Sequence, residues 1–214
     1  MPLYKPVTVY VHGGGPNPFK VLITLEELQV PYKKIDVENP KSESFVEINP
    51  NGRTPAITDP NNGNFTLWES GAIIEYLVDR YDTGGKLTLA DANQNWHLKQ
   101  YLHFQMSGQG PYFGQAVWFY KQTDDNPMAK QRYMEQLVRV LGVLDGILRD
   151  RSYLVGDKFT YADLSFIPWN RVALGAPFFK GDLDGIGTRF PNFLAWHERI
   201  NSRPSVQAAY GSWI

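Results

Sequence analysis

The residue that most often does covalent chemistry at a thiol is missing here: the 214-residue chain has no cysteine. Disulfides, thiolate metal sites and a protein cysteine nucleophile are therefore excluded, and the composition suits a reducing, cytoplasmic setting. Three short stretches instead carry residue types that hold charged ligands. Pro16-Asn17-Pro18 opens a helix after a glycine loop. Asn is a strong N-cap and Pro suits a first helical turn, so Asn17 reads as the cap of that helix. It reads equally as an amide donor beside a positive helix end, a place that stabilises an anion such as a thiolate. Glu69-Ser70 stands at a strand-to-helix junction. Ser70 is either an N-cap or, with the backbone amides, a binder of a carboxylate, while Glu69 pairs with an amine. Arg53-Thr54-Pro55 begins a strand after a turn, where Pro is tolerated in trans or in cis.

Other chemistries lack their parts. His12-Gly13-Gly14-Gly15 has the composition of an oxyanion loop, but no serine stands in the Gly-x-Ser-x-Gly that must accompany it. Phosphate-binding glycine spacings are absent. The four histidines have no metal-ligand spacing, so no metal is expected. Lys plus Arg is 21 against 22 for Asp plus Glu, which gives no electrostatic reason to expect nucleic acid or an anionic membrane as partner. No apolar run approaches the roughly 18 residues of a membrane helix. Val7 to Val11 is too short for the core of a signal peptide, which makes the sequon Asn64-Phe65-Thr66 a chance match.

The elements that must position these residues fall into two sets. Val7 to Val11 alternates at period two and is a strand. A helix follows, with Val21, Leu22, Leu25 and Leu28 on one face. Tyr32 to Val37, Thr54 to Thr58 and Phe65 to Trp68 read as strands, and Ser70 to Tyr81 as a helix. The order β-α-β-(α)-β-β-α is a small α/β unit. Beyond a linker at Asp82 to Lys86 every long pattern is helical. Ala92 to about Tyr120 is interrupted at Gly108 to Pro111, Pro127 to Arg151 carries a strong apolar stripe, and Thr160 to Asp163 reads as a capping-box start with Asp in place of Glu. The expected domains are 1–83, an α/β domain, and 90–214, all helical. Aromatics make up 14% of the chain. Met106, Phe113 and Trp118 read either as core or as walls of an apolar pocket.

Phe45-x-x-x-Asn49-Pro50-Asn51-Gly52-Arg53-x-Pro55-Ala56 and Trp68-Glu69-Ser70-Gly71-Ala72-Ile73 together resemble the glutathione-binding half of a cytosolic glutathione transferase. Phe159-Thr160-x-Ala162-Asp163-Leu164-Ser165-Phe166 and Phe190-Pro191-x-x-x-x-Trp196-x-x-Arg199-x-x-x-Arg203-Pro204 are similar to its second half. Pro16 to Val21 and Ser107 to Ala116 are similar to the fungal Ure class, a relative of the bacterial nu class. The resemblance implies a thioredoxin-like domain followed by a helical bundle, a homodimer, and glutathione as co-substrate without a metal. It implies a cis Pro55 that presents the Thr54 backbone to the cysteinyl part of glutathione. Glu69 and Ser70 would hold the γ-glutamyl end, with Arg53 close by and Asn17 near the sulfur. The second substrate, a small electrophile or a disulfide, would meet Met106, Phe113 and Trp118 between the domains, in conjugation, detoxification or disulfide-bond reduction. The loop Asn39 to Ser44 is shorter than in relatives, leaving Lys41 as a loose candidate for the glycyl carboxylate. The rival expectation is a noncatalytic ligand-binding or regulatory protein on the same fold. It is weakened because the chain begins almost directly at the first strand, with no Asn/Gln-rich leader.

Overall fold

The structure is a computed structural model and describes residues 4–212. Residues up to Thr88, together with those from Ser202 onward, form one compact unit, and Leu89–Asn201 form the other. The boundary differs from the expected one at the C-terminal end. Residues 202–212, expected to close the helical domain, belong with the α/β unit.

The first unit runs β1 (Val7–Val11), α1 (Pro16–Leu28), β2 (Tyr32–Asp36), α2 (Glu43–Val46), β3 (Ala56–Asp59), β4 (Phe65–Trp68) and α3 (Ser70–Tyr81). The sheet order is β2-β1-β3-β4. β1 pairs parallel with β2 and antiparallel with β3, which pairs antiparallel with β4. Alternation in β1 divides its side chains between two faces. Val7, Val9 and Val11 are buried in the core. Tyr10 goes to the other face and packs with Val37, Phe45, Ile48 and Ala56. Helix α1 packs against β1, α3 and the C-terminal helix α10 (Pro204–Gly211). With neighbours on several sides it buries polar as well as apolar residues: Lys20, Thr24 and Glu27 are all enclosed.

The second unit contains α4 (Ala92–Phe104), α5 (Gly110–Lys121), α6 (Pro127–Ile147), α7 (Tyr161–Gly175), α8 (Ile186–Arg189) and α9 (Pro191–Asn201). The expected break at Gly108 to Pro111 is absent. A π-turn over Gln105–Gln109 carries α4 directly into α5, with helical dihedrals at both of its flanking residues. Its side-chain amides form a buried chain that reaches α7: Gln105 Nε2 donates to Gln109 Oε1 at 3.0 Å, and Gln109 Nε2 to Asn170 Oδ1 at 2.7 Å. A Cβ at Gly108 would come within 3.1 Å of the Phe104 ring, so a larger residue would require that ring to shift. The start of α7 is the capping box expected of it. The buried Asp163 carboxylate accepts the Thr160 N–H, the Leu154 N–H and the indole N–H of Trp196 at 2.9 to 3.0 Å. Burial pushes its pKa up despite these donors.

Candidate active site

The register of the sheet brings the three predicted stretches to one end of the first unit. Ala56 pairs with Trp68 across the β3–β4 ladder and with Tyr10 across β1–β3. Thr54 and Pro55, just before β3, therefore lie beside Glu69 and Ser70, just after β4. The loop that leaves the end of β1 for α1 emerges at the same end. The tie between α1 and α3 is direct: Lys20 Nζ donates to Ser70 Oγ at 3.4 Å.

Each stretch has a local cause. Asn49 is buried and shapes the turn before Arg53. Its Oδ1 accepts the Asn51 N–H at 3.0 Å, its Nδ2 donates to the Arg53 carbonyl at 2.6 Å, and its own carbonyl accepts the Gly52 N–H at 2.8 Å. Gly52 takes φ +58, and a Cβ there would come within 2.9 Å of the Pro40 carbonyl, so both backbone and space demand glycine. The turn delivers an exposed Arg53, a half-buried Thr54 and a cis Thr54–Pro55 bond. Lys41 donates to the Asn51 carbonyl at 3.1 Å, a partner within the turn itself.

Neither capping reading holds as expected. The N-cap of α1 is Gly15, and Asn17 lies two residues further in, the second residue of the helix, between two prolines. Pro16 and Pro18 carry no N–H, so this first turn offers the Asn17 amides where other helices offer a row of backbone donors. The N-cap of α3 is Glu69, and Ser70 is its first helical residue. Glu69 holds φ +73, a region that costs a non-glycine residue about 1 kcal/mol or more and that accumulates at ligand clamps. Ser70 is buried while Glu69 is exposed at the helix's positive end. A hydroxyl and backbone amides facing one way, with a carboxylate beside them, suit a zwitterionic amino-acid head.

Lys20 is the residue sequence reasoning passed over. It is 1% exposed. Burial drives its pKa down to about 7, against the pull of the Glu69 charge. The signal was its place three residues after Asn17, which puts both on one helix face. The proposed pocket residues do not behave as a set. Phe113 is wholly enclosed at 0% exposure, Met106 is half-buried in the π-turn, and Trp118 is 53% exposed on α5, edge-on to Phe119. A cavity of about 660 Å³ in this unit is lined by Ala173 to Thr188 and includes none of them. Among the described residues no cluster of His, Asp and Glu suits a metal ion, and no helix is long and apolar enough to cross a membrane.

Residues 5–79 match the family model "Glutathione S-transferase, N-terminal domain", and residues 111–204 match "Glutathione S-transferase, C-terminal domain". The chain is 44% identical to Glutathione S-transferase 2 of Schizosaccharomyces pombe, over 95% of its length and 94% of that protein's. It is 34% identical to Protein URE2 of Candida albicans, over 94% of its length and 69% of that protein's. Among solved structures it superposes on the glutathione transferase URE2P6 of Phanerochaete chrysosporium, in complex with oxidized glutathione. The TM-score is 0.91 at 41% identity, covering 97% of this chain and 96% of that one. Both halves of one domain pair thus match in order, on a thioredoxin-like sheet with a cis proline before β3 and on the helical unit after it: the chain belongs to the glutathione S-transferase family, in its fungal Ure class.

Proposed function

We propose that this chain is a glutathione-dependent transferase that ionises the glutathione thiol at the start of α1. The observation that carries the reading is the convergence of Asn17, Thr54-Pro55 and Glu69-Ser70 at one end of the sheet, through the pairing of Ala56 with both Tyr10 and Trp68. In this reading the Thr54 backbone pairs with the cysteinyl residue beside Pro55. Ser70 and the first amides of α3 receive the γ-glutamyl carboxylate, Glu69 takes the γ-glutamyl ammonium, and Arg53 stands at the rim. The sulfur lies by Asn17. A free thiol with pKa near 8.5 is mostly protonated at neutral pH. Lowering it by one unit takes about 1.4 kcal/mol, which a charge-assisted hydrogen bond from the Asn17 amide and the α1 N-terminus can provide.

The thiolate then attacks an electrophilic carbon, forming a carbon–sulfur bond while the leaving group departs with its electron pair. A second reading, disulfide reduction, is favoured by the oxidized glutathione bound to the Phanerochaete relative. There the thiolate attacks a disulfide sulfur, one thiolate leaves, and a second glutathione resolves the mixed disulfide. No protein cysteine is needed. The reading places this work in cytoplasmic detoxification, with Met106 and Trp118 meeting the second substrate and Phe113 backing them from the core. It also takes the protein to be a homodimer: Phe65 and Trp68 on the edge strand β4 and Trp96 on α4 are exposed, apolar area that a stable interface of over roughly 1,000 Å² would cover. Turnover of glutathione with 1-chloro-2,4-dinitrobenzene and with a small hydroxyethyl disulfide tests the function. A rate above the uncatalysed one in either assay is expected, and its absence from both would refute it. Light scattering should give twice the 24.4 kDa of one chain.

A further inference from the structure

Lys20 is a charge that the proposed roles leave without a task. It sits at the fifth position of α1, where the positive end of the helix disfavours a cation. Its ammonium is fully enclosed, and burial pushes its pKa down to about 7. A methionine of similar length would fill the space without either cost. A residue that fold stability alone would replace is kept where the chemistry needs it. Two neighbours say where that is. The ammonium donates to Ser70 Oγ, and the charge that pulls its pKa upward is Glu69. These are the two side chains read above as holding the γ-glutamyl head.

We infer that Lys20 is a positioning residue for the γ-glutamyl end of glutathione: its buried ammonium orients the Ser70 hydroxyl and adds positive charge beneath the N-terminus of α3, beside Glu69, where the glutamyl carboxylate docks. The inference rests on the reading of Glu69 and Ser70 as the glutamyl clamp. The head of the tripeptide is remote from the sulfur, so the interaction is made equally in ground and transition states. Its loss raises the Michaelis constant and leaves turnover at saturation nearly intact.

Lys20→Met removes charge and donor together. Lys20→Gln keeps a donor for Ser70 but no charge, and carries the test if the methionine variant fails to fold. Calorimetry with glutathione, melting temperature and kcat at saturating glutathione are read on both, with Ser70→Ala alongside. The expected result is binding weakened about tenfold or more in both lysine variants, kcat within about threefold of wild type, and a melting temperature unchanged or raised. A lysine kept only for packing would lower the melting temperature and spare affinity in the folded protein, and that result overturns the proposal. So does glutathione affinity within about threefold of wild type in either variant while Ser70→Ala weakens it. If Ser70→Ala also binds normally, the clamp reading itself falls.

Discussion

The two ends of helix α1 bury one charge each, and each charge is at the wrong end for the helix dipole. Lys20 lies near the positive N-terminus and Glu27 near the negative C-terminus, 1% and 3% exposed. Their surroundings resolve the conflict in opposite ways. Burial pushes the Glu27 carboxyl upward, but Arg203 Nε at 2.7 Å, Arg203 Nη2 at 3.1 Å, Lys86 Nζ at 2.9 Å and the Ser205 hydroxyl outweigh it, and the pKa falls to about 2. At Lys20 burial wins, and the pKa moves toward the neutral form. A buried charge pulled further into its ionised form is a fastening: here it pins α10 to α1, helped by Phe19 stacked on Tyr210 at 3.9 Å. A buried charge pushed toward neutrality costs the fold free energy, and its reason must be sought in a ligand.

The largest expected effect tests the fastening. Glu27→Ala leaves Arg203 and Lys86 without their carboxylate and should destabilise the protein by about 3.5 kcal/mol, the free-energy equivalent of lowering the carboxyl pKa from 4.5 to about 2. Denaturant unfolding at pH 7 measures it. The comparison breaks if Glu27→Ala is as stable as wild type, since the two ends would then differ in pKa but not in consequence.

Acid sharpens the same contrast. The folded pKa of Glu27 lies below its unfolded value, so its contribution is complete above about pH 4.5 and disappears as pH falls toward about 2. Stability of wild type should decline through that window more steeply than that of Glu27→Ala, with the two curves converging near pH 2. Parallel curves would show that the carboxylate stays compensated in the unfolded chain.

The smallest effect concerns the thiol end. Asn17→Asp retains a side chain suited to a first helical turn, so the melting temperature should hold. The ionised carboxylate has no donor and repels a thiolate, so glutathione-dependent turnover at pH 7 should fall about tenfold, worth about 1.4 kcal/mol. Full activity would move the thiolate's stabiliser from the Asn17 side chain to the backbone of the Gly13 to Pro18 loop.

The strands and helices that place the site were legible because they obey simple periods: Val7 to Val11 alternates, and Phe65 to Trp68 and Ser70 to Tyr81 begin and end where the pattern does. The turn at Asn49 to Gly52 was legible for the same local reason. What escaped was set by packing from afar. Lys20, Thr24 and Glu27 fall on one helix face, a polar stripe that normally marks the solvent side, but α10 arrives from about 180 residues away to cover part of α1. The caps were misplaced by one or two residues because Asn17 and Ser70 have the right chemistry for caps, while Gly15 and Glu69 occupy the positions. The π-turn at Gln105–Gln109 escaped because glycine and proline ordinarily end a helix, and only the buried amide chain to Asn170 explains why they do not.

The return of α10 to the first unit also orders events on the ribosome. Translation is vectorial, and domains generally fold as their residues emerge. The helical unit, Leu89–Asn201, is complete in one uninterrupted stretch of nascent chain. The α/β unit is begun first but finished last, because the partner that neutralises Glu27 is encoded near residue 203. Until then α1 carries the Glu27 carboxylate uncovered, with one of its two cations still unsynthesised.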